Sequence, residues 1–321
     1  MATLVAALAA GTLTYEQLLL VALVQGIFAV FFKVAEVGAV RHLVEDDDLP
    51  TAIAQNTARD SAAWLAGPPL GGLLYAIRRW LPFAVDFVSY LVSAALLASI
   101  RQPFHETREP EPWSLRAHLG DIGDGVRWVW SQPFLRTATL LVGGANFVSN
   151  AVSLLLVVVV RERGGSAPTI GLMMSFAAAG SLLGAVAATR LHRVVAPRAI
   201  VVGYLWIGAA AAALLALPLQ PIALGAIFGV WVFFGPTWDA VVVGHRIRIV
   251  PDRMQGRVES VGSLVAFGGA ALGPLVAGLL ASRLTGSQAF LCVAAIGTAV
   301  ALGGVAAWSR GLRSVVAEAP A

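Results

Sequence analysis

Charged side chains are scarce in these 321 residues: Asp, Glu, Lys and Arg together make up 12%, about half the roughly 25% of a soluble domain. Lysine is all but absent, with Lys33 alone against 21 arginines. A single cysteine, Cys292, excludes an intramolecular disulfide and any cysteine-based metal cluster. The five histidines never recur at His-x-x-x-His spacing, and no Gly-x-x-x-x-Gly-Lys-Ser/Thr stretch occurs. Zinc chemistry and nucleotide hydrolysis therefore lack the residues they need, and no cofactor is expected. A net charge of +4 and a pI near 9.8 raise the question of nucleic acid. The arginines are dispersed over short connections and form no patch, so no nucleic-acid partner is expected. A membrane-embedded enzyme would want His, Asp or Ser clustered within its apolar segments, and none is visible, so the chain does not read as an enzyme.

What the chain has is hydrophobicity. Apolar residues make up 58%, and the mean hydropathy is +0.79. Nine stretches long enough to cross roughly 30 Å of hydrocarbon as helices recur along it. They run at 18–41, 52–76, 81–100, 134–160, 168–189, 199–217, 221–244, 258–282 and 286–308. The expected fold is an all-α, polytopic membrane protein. Assigned to alternate faces of nine spans, 16 of the 22 basic residues fall on one side, five on the other, and Lys33 lies inside a span. Basic loops stay in the cytoplasm, so the C-terminus and the loops near 101–133 and 245–257 are expected there. The arginine and alanine bias suits a G+C-rich bacterial coding sequence, so the expected location is a bacterial plasma (inner) membrane. The opening "MATLVAALAAGTL" is too short to cross and is no signal peptide. It reads as the outer end of a further helix.

The chain also repeats itself. "GPPLGGLL" at 67–74 and "GPLVAGLL" at 273–280 share Gly-Pro-x-x-x-Gly-Leu-Leu, and "VFF" recurs at 30–32 and 232–234. Duplicated bundles are a hallmark of transporters. Spans one to three answer spans seven to nine, with three unmatched spans between them. That arithmetic expects a twelve-span parent of which this chain holds helices four to twelve. Residues 1–100 would be the remnant of the N-terminal half, 101–133 a cytoplasmic connection carrying an amphipathic surface helix, 134–310 a six-helix C-terminal half, and 311–321 a cytoplasmic tail.

On three stretches the chain resembles the major facilitator superfamily, in its efflux branch related to macrolide and siderophore (enterobactin-type) exporters: "QGIFAVFFKVAEVGAVRHLV" (25–44), the Gly-Pro segment with "FAVDFVSYLVSAALL" (83–97), and "RIRIVPDRMQGRVESVGSLVAFGGAALGPLVAGLL" (246–280). The resemblance implies a secondary transporter of major facilitator fold, monomeric, moving an amphipathic small molecule outward in exchange for protons. The exporter signature Gly-x-x-x-Gly-Pro-x-x-Gly-Gly falls on Ala63, Gly67, Pro68, Gly71 and Gly72, with alanine replacing the first glycine. The arginine that many proton-coupled exporters carry in their fourth helix would fall near Ala22 and is absent. The other expectation is a truncated, non-transporting membrane fragment or interaction subunit.

The candidate residues follow from the cost of polarity at membrane depth. Gly67, Pro68, Gly71 and Gly72, with Gly273, Pro274 and Gly278, let helices approach closely and bend. They form either the contact on which two halves rock or a static packing seam. Asn146 and Asn150 sit one turn apart near mid-bilayer, lining a cavity or bonding to a neighbouring helix, and Gln25 is a third cavity candidate. Asp86 either carries a coupling proton, caps its helix or contacts Arg78 or Arg79. Lys33, Glu36 and Asp239 lie near the inner mouth and read as an ion network or gate. The acidic run Glu45 to Asp48 lacks calcium-loop spacing and reads as a solvated turn.

Overall fold

A computed structural model describes residues 1–43, 49–100 and 115–307. All regular structure among them is helical, as the composition requires: a bilayer offers backbone groups no water, and a helix satisfies them internally. The helices, in chain order, are α1 (Ala2–Ala10), α2 (Tyr15–Leu43), α3 (Leu49–Ile77), α4 (Leu81–Ser99), α5 (Leu115–Ser131), α6 (Pro133–Glu162), α7 (Ala167–Val194), α8 (Pro197–Leu214), α9 (Pro221–Phe233), α10 (Gly235–Ile249), α11 (Asp252–Ala281) and α12 (Gly286–Ala307). Seven segments among the described residues are both long and apolar enough to cross a membrane: α4, α6, α7, α8, α9 joined to α10, most of α11, and α12. The spans expected at 18–41 and 52–76 lie in the 29-residue helices α2 and α3.

Proline punctuates this architecture. Pro82, Pro133, Pro197, Pro221 and Pro236 stand in the first turns of α4, α6, α8, α9 and α10. The missing N–H costs nothing there, because the first amides of a helix have no intrahelical acceptor. Pro236 has a second consequence. The sequence reads 221–244 as one uninterrupted span, whereas the helix breaks at Phe234, where "FGP" puts glycine and proline side by side inside the membrane segment. Pro274, by contrast, lies within α11 without ending it.

The residues group into two units, Met1–Glu111 with Ser166–Leu172, and Pro112–Gly165 with Met173–Ala321. In the first, α4 packs against α1 and α3, and α2 against α3 and α1. Leu4 and Ala7 of α1 are buried, whereas α4 has no buried residue. Val88, Leu91, Val92 and Leu96 of α4 are exposed apolar side chains, which suits contact with lipid tails.

The second unit is built around α6. Its 30 residues give a rod of roughly 45 Å, and it packs most extensively on α11 and next on α12. Ala151, Val152, Leu155, Leu156 and Val160 are fully enclosed. α12 also packs along α8, where Leu141, Ala145, Ile200, Val201, Leu205, Trp238, Val242 and Ala301 form one core cluster. A second cluster joins Val129 of α5 to Leu135, Val250, Val258 and Val261 at the end where α6 and α11 begin. Helix α5 lies in the segment expected to carry a surface helix, and its Val129 edge is buried on α6 and α11.

Candidate functional site

Glycine decides which faces of α6 are closed. A Cβ placed on Gly273 would collide with the Phe147 carbonyl oxygen and stand 3.1 Å from the Ala151 amide, and one on Gly269 would collide with the Gly143 carbonyl. Backbone therefore meets backbone along one face of α6. On a second face a Cβ at Gly144 would lie 2.9 Å from Val300 of α12, and Ala145 and Val148 face α8 and α12. At about 100° per residue, positions 146, 150 and 153 belong to neither face. They form a third stripe, occupied by Asn146, Asn150 and Ser153.

Asn146 and Asn150 flank the midpoint of α6 and are half-buried. The Asn146 amide nitrogen donates to the Val142 carbonyl at 3.0 Å, and that of Asn150 to the Asn146 carbonyl at 2.9 Å. Ser153 Oγ reaches Met174 Sδ of α7 at 4.0 Å. Among the described residues neither asparagine bonds to another helix. With the NH2 groups turned back onto their own helix, each side chain keeps a carbonyl oxygen as an acceptor. The stripe presents acceptors at mid-helix on an otherwise apolar element.

In the first unit, Gln25 of α2 donates through Nε2 to the Tyr90 hydroxyl of α4 at 3.0 Å. Tyr90, midway along α4, was not singled out by sequence. Its signal was available as the polar residue at the centre of "FAVDFVSYLVSAALL". Asp86 is half-buried in the first turns of α4 and makes no ion pair with Arg78 or Arg79 among the described residues. It is not the cap, since Trp80 holds that position without a side-chain hydrogen bond. Lys33 and Glu36 lie in α2, and their side chains fall outside the described residues, as does that of Pro68; the run Glu45 to Asp48 is likewise outside. Asp239 is on the exposed side of α10, adjacent to the buried Trp238.

The motif glycines divide. Gly72 meets the first turns of α7, where a Cβ would stand 2.8 Å from the Ala167 carbonyl oxygen and 3.3 Å from Gly171. Gly67 and Gly71 have open space where a side chain would go, and Gly278 meets only Leu154 at 3.9 Å. Of the Gly-Pro echoes, Gly72 and Gly273 are the close approaches. A further seam joins α7 to α9: Cβ atoms on Gly180 and Gly184 would strike the Gly229 and Phe233 carbonyls, and one on Gly229 would lie 2.5 Å from that of Phe176. Three Gly-x-x-x-Gly pairs, 180/184, 225/229 and 269/273, announce these contacts in the sequence.

At the end of the second unit where α11 begins, Asp124 of α5 accepts from Arg127 at 3.4 Å and forms an ion pair with Arg257 at 3.8 Å. Arg246 of α10 pairs with Glu259 of α11, whose Oε1 also accepts from Ser263 Oγ at 3.1 Å. Charges read in the sequence only as topology markers are thus partnered across α5, α10 and α11. No group of three His, Cys, Asp or Glu capable of holding a metal occurs among the described residues.

Comparison with known proteins agrees with this architecture. A major facilitator family model described as "transmembrane secretion effector" matches residues 1–319. An uncharacterized MFS-type transporter, YfiS, of Bacillus subtilis (strain 168) is 25% identical over 169 residues, covering 52% of this chain and 40% of that relative. The matched stretch thus spans less than half of the relative's length.

Proposed function

The chain belongs to the major facilitator superfamily as a multi-pass membrane transporter, and on that premise we propose that it exports an amphipathic small molecule in exchange for protons, by alternating access. The observation that carries the reading is the stripe of Asn146, Asn150 and Ser153: one face of α6 is closed by backbone contact and a second by side-chain packing, and the third keeps acceptor oxygens at mid-helix. Ligand sites of this kind are apolar with a few fixed polar groups. An apolar molecule bearing hydroxyl or amine donors fits such a stripe. Gln25 and Tyr90 supply a second polar pair for the same role. Asp86, which makes no ion pair with Arg78 or Arg79 among the described residues, is the first candidate for the coupling proton, with Glu36 and Asp239 after it.

The arginine distribution supports a bacterial plasma membrane location with the C-terminus in the cytoplasm. Under this reading 134–310 works as one six-helix half, 1–100 belongs to the other, 101–133 connects them, 311–321 is the tail, and the transporter is a monomer. Everted membrane vesicles energised to an acid interior test it. A macrolide added outside should release protons from vesicles containing the protein, and the release should fall at least several-fold in Asn146→Ala with Asn150→Ala. An unchanged pH gradient across a panel of macrolides and other amphipathic compounds would remove the proposal.

A further inference from the structure

The membrane segment formed by α9 and α10 is interrupted near its middle, where Pro236 contributes no N–H to the helical ladder. Around this break lie three buried polar atoms without a hydrogen-bond partner among the described residues: Trp231 Nε1, Thr237 Oγ1 and Trp238 Nε1. Their residues are 2%, 2% and 3% exposed, so bulk solvent does not reach them. A buried indole N–H without an acceptor has given up its hydration for nothing, and folded interiors seldom leave one so. A buried indole with no acceptor among the described residues is open to a partner that is not a protein group.

A cavity adjoins one of them. Between α6, α8, α9 and α12 a void with room for about one water molecule is lined by Tyr204, Gly208, Trp231, Gly297 and Val300 with their neighbours. The indole lies against Gly208: a Cβ there would stand 2.7 Å from its Cε2 and Cζ2 and 2.8 Å from its Nε1, so the nitrogen side of the ring borders the glycine wall of the void. Tyr204 lies against the same indole with ring centroids 6.2 Å apart and against Trp238 at 5.2 Å. Its hydroxyl stands beside the break, 4.0 Å from a Cβ built on Gly235. The hydroxyl both donates and accepts.

We propose that this cavity is a binding site for a single water molecule, which accepts from Trp231 Nε1 and exchanges a hydrogen bond with the Tyr204 hydroxyl. Size restricts the ligand to one small acceptor, and the mostly apolar lining offers no counter-charge for an ion. The water ties α9 to α8 at the point where the helix ladder is broken, as ordered waters do beside intramembrane prolines. The site lies wholly within the second unit and stands independently of what the transporter carries.

Ultraviolet resonance Raman spectroscopy of the purified full chain tests it, because an indole ring band reports hydrogen bonding at Nε1. The chain has nine tryptophans, so subtracting the spectrum of Trp231→Phe isolates this one. The difference spectrum is expected to show a hydrogen-bonded indole. In Gly297→Ala the band should move to the unbonded position, since the new methyl occupies the void while meeting Ala209 and Val148 at 3.4 to 3.5 Å, ordinary contact distances. Should that variant fail to fold, Tyr204→Phe removes the second hydrogen bond and should shift the same band. An unbonded indole in the unaltered protein overturns the site. A bonded indole indifferent to both substitutions does so equally, because its acceptor is then a protein group.

Discussion

At the scale of single residues, space separates glycines that look alike in sequence. Gly273 and Gly278 belong to one motif, yet a Cβ at the first runs into α6 backbone and at the second finds only a methyl group at van der Waals distance. Gly273→Ala is therefore expected to destabilise the protein by about 1 to 3 kcal/mol, the usual cost of overpacking. Gly278→Ala and Gly67→Ala should be neutral or slightly stabilising, since alanine suits a helix better than glycine. Thermal unfolding of the three variants in detergent checks this, and equal losses for all would contradict it. Asn146 and Asn150 belong to the same scale. Among the described residues their amides bond only to their own helix, so Asn146→Ala should leave the melting temperature within a degree or two while lowering transport. A residue holding two helices together would show the reverse.

At the scale of elements, much of the fold was legible because the bilayer enforces it: length, apolarity and proline placement mark α4, α6, α7, α8, α11 and α12 in the sequence. The break between α9 and α10 was also written there as "FGP", but a hydropathy average runs over it, since phenylalanine, glycine and proline scarcely interrupt an apolar run. The site was legible only in part. The depth of Asn146 and Asn150 follows from counting residues. Which face of α6 they occupy does not, because it depends on where α11, α8 and α12 land. The ion pairs were invisible for the same reason: Asp124, Arg257, Arg246 and Glu259 come from three helices, and nothing in their spacing announces their meeting. Arg246 is the more buried partner of its pair, with Glu259 about half exposed. Glu259→Gln is accordingly expected to cost no more than about 1 kcal/mol, the range for solvated pairs. If the pair gates the end of the bundle, its transport rate should change by more than its stability does; a matching change in both would make it a structural tie alone.

At the scale of the whole molecule, the central claim is that this chain couples outward movement of an amphipathic solute to inward movement of protons. The two Gly-Pro echoes, the apolar helices and the family relationship support transport, and the mid-helix acceptor stripe supports a solute that is apolar with donor groups. Direction and coupling are set by no single contact, so they are tested on the intact protein in a sealed membrane. The most direct measurement reconstitutes the full chain in proteoliposomes carrying a pH-sensitive dye and imposes a proton gradient of either sign. Labelled macrolide movement is then followed with and without a protonophore. The account predicts macrolide flux opposite to the proton gradient, proton flux triggered by the macrolide, and loss of both in Asp86→Asn or in the Asn146→Ala, Asn150→Ala double variant. Macrolide flux that ignores the gradient and the protonophore would contradict it.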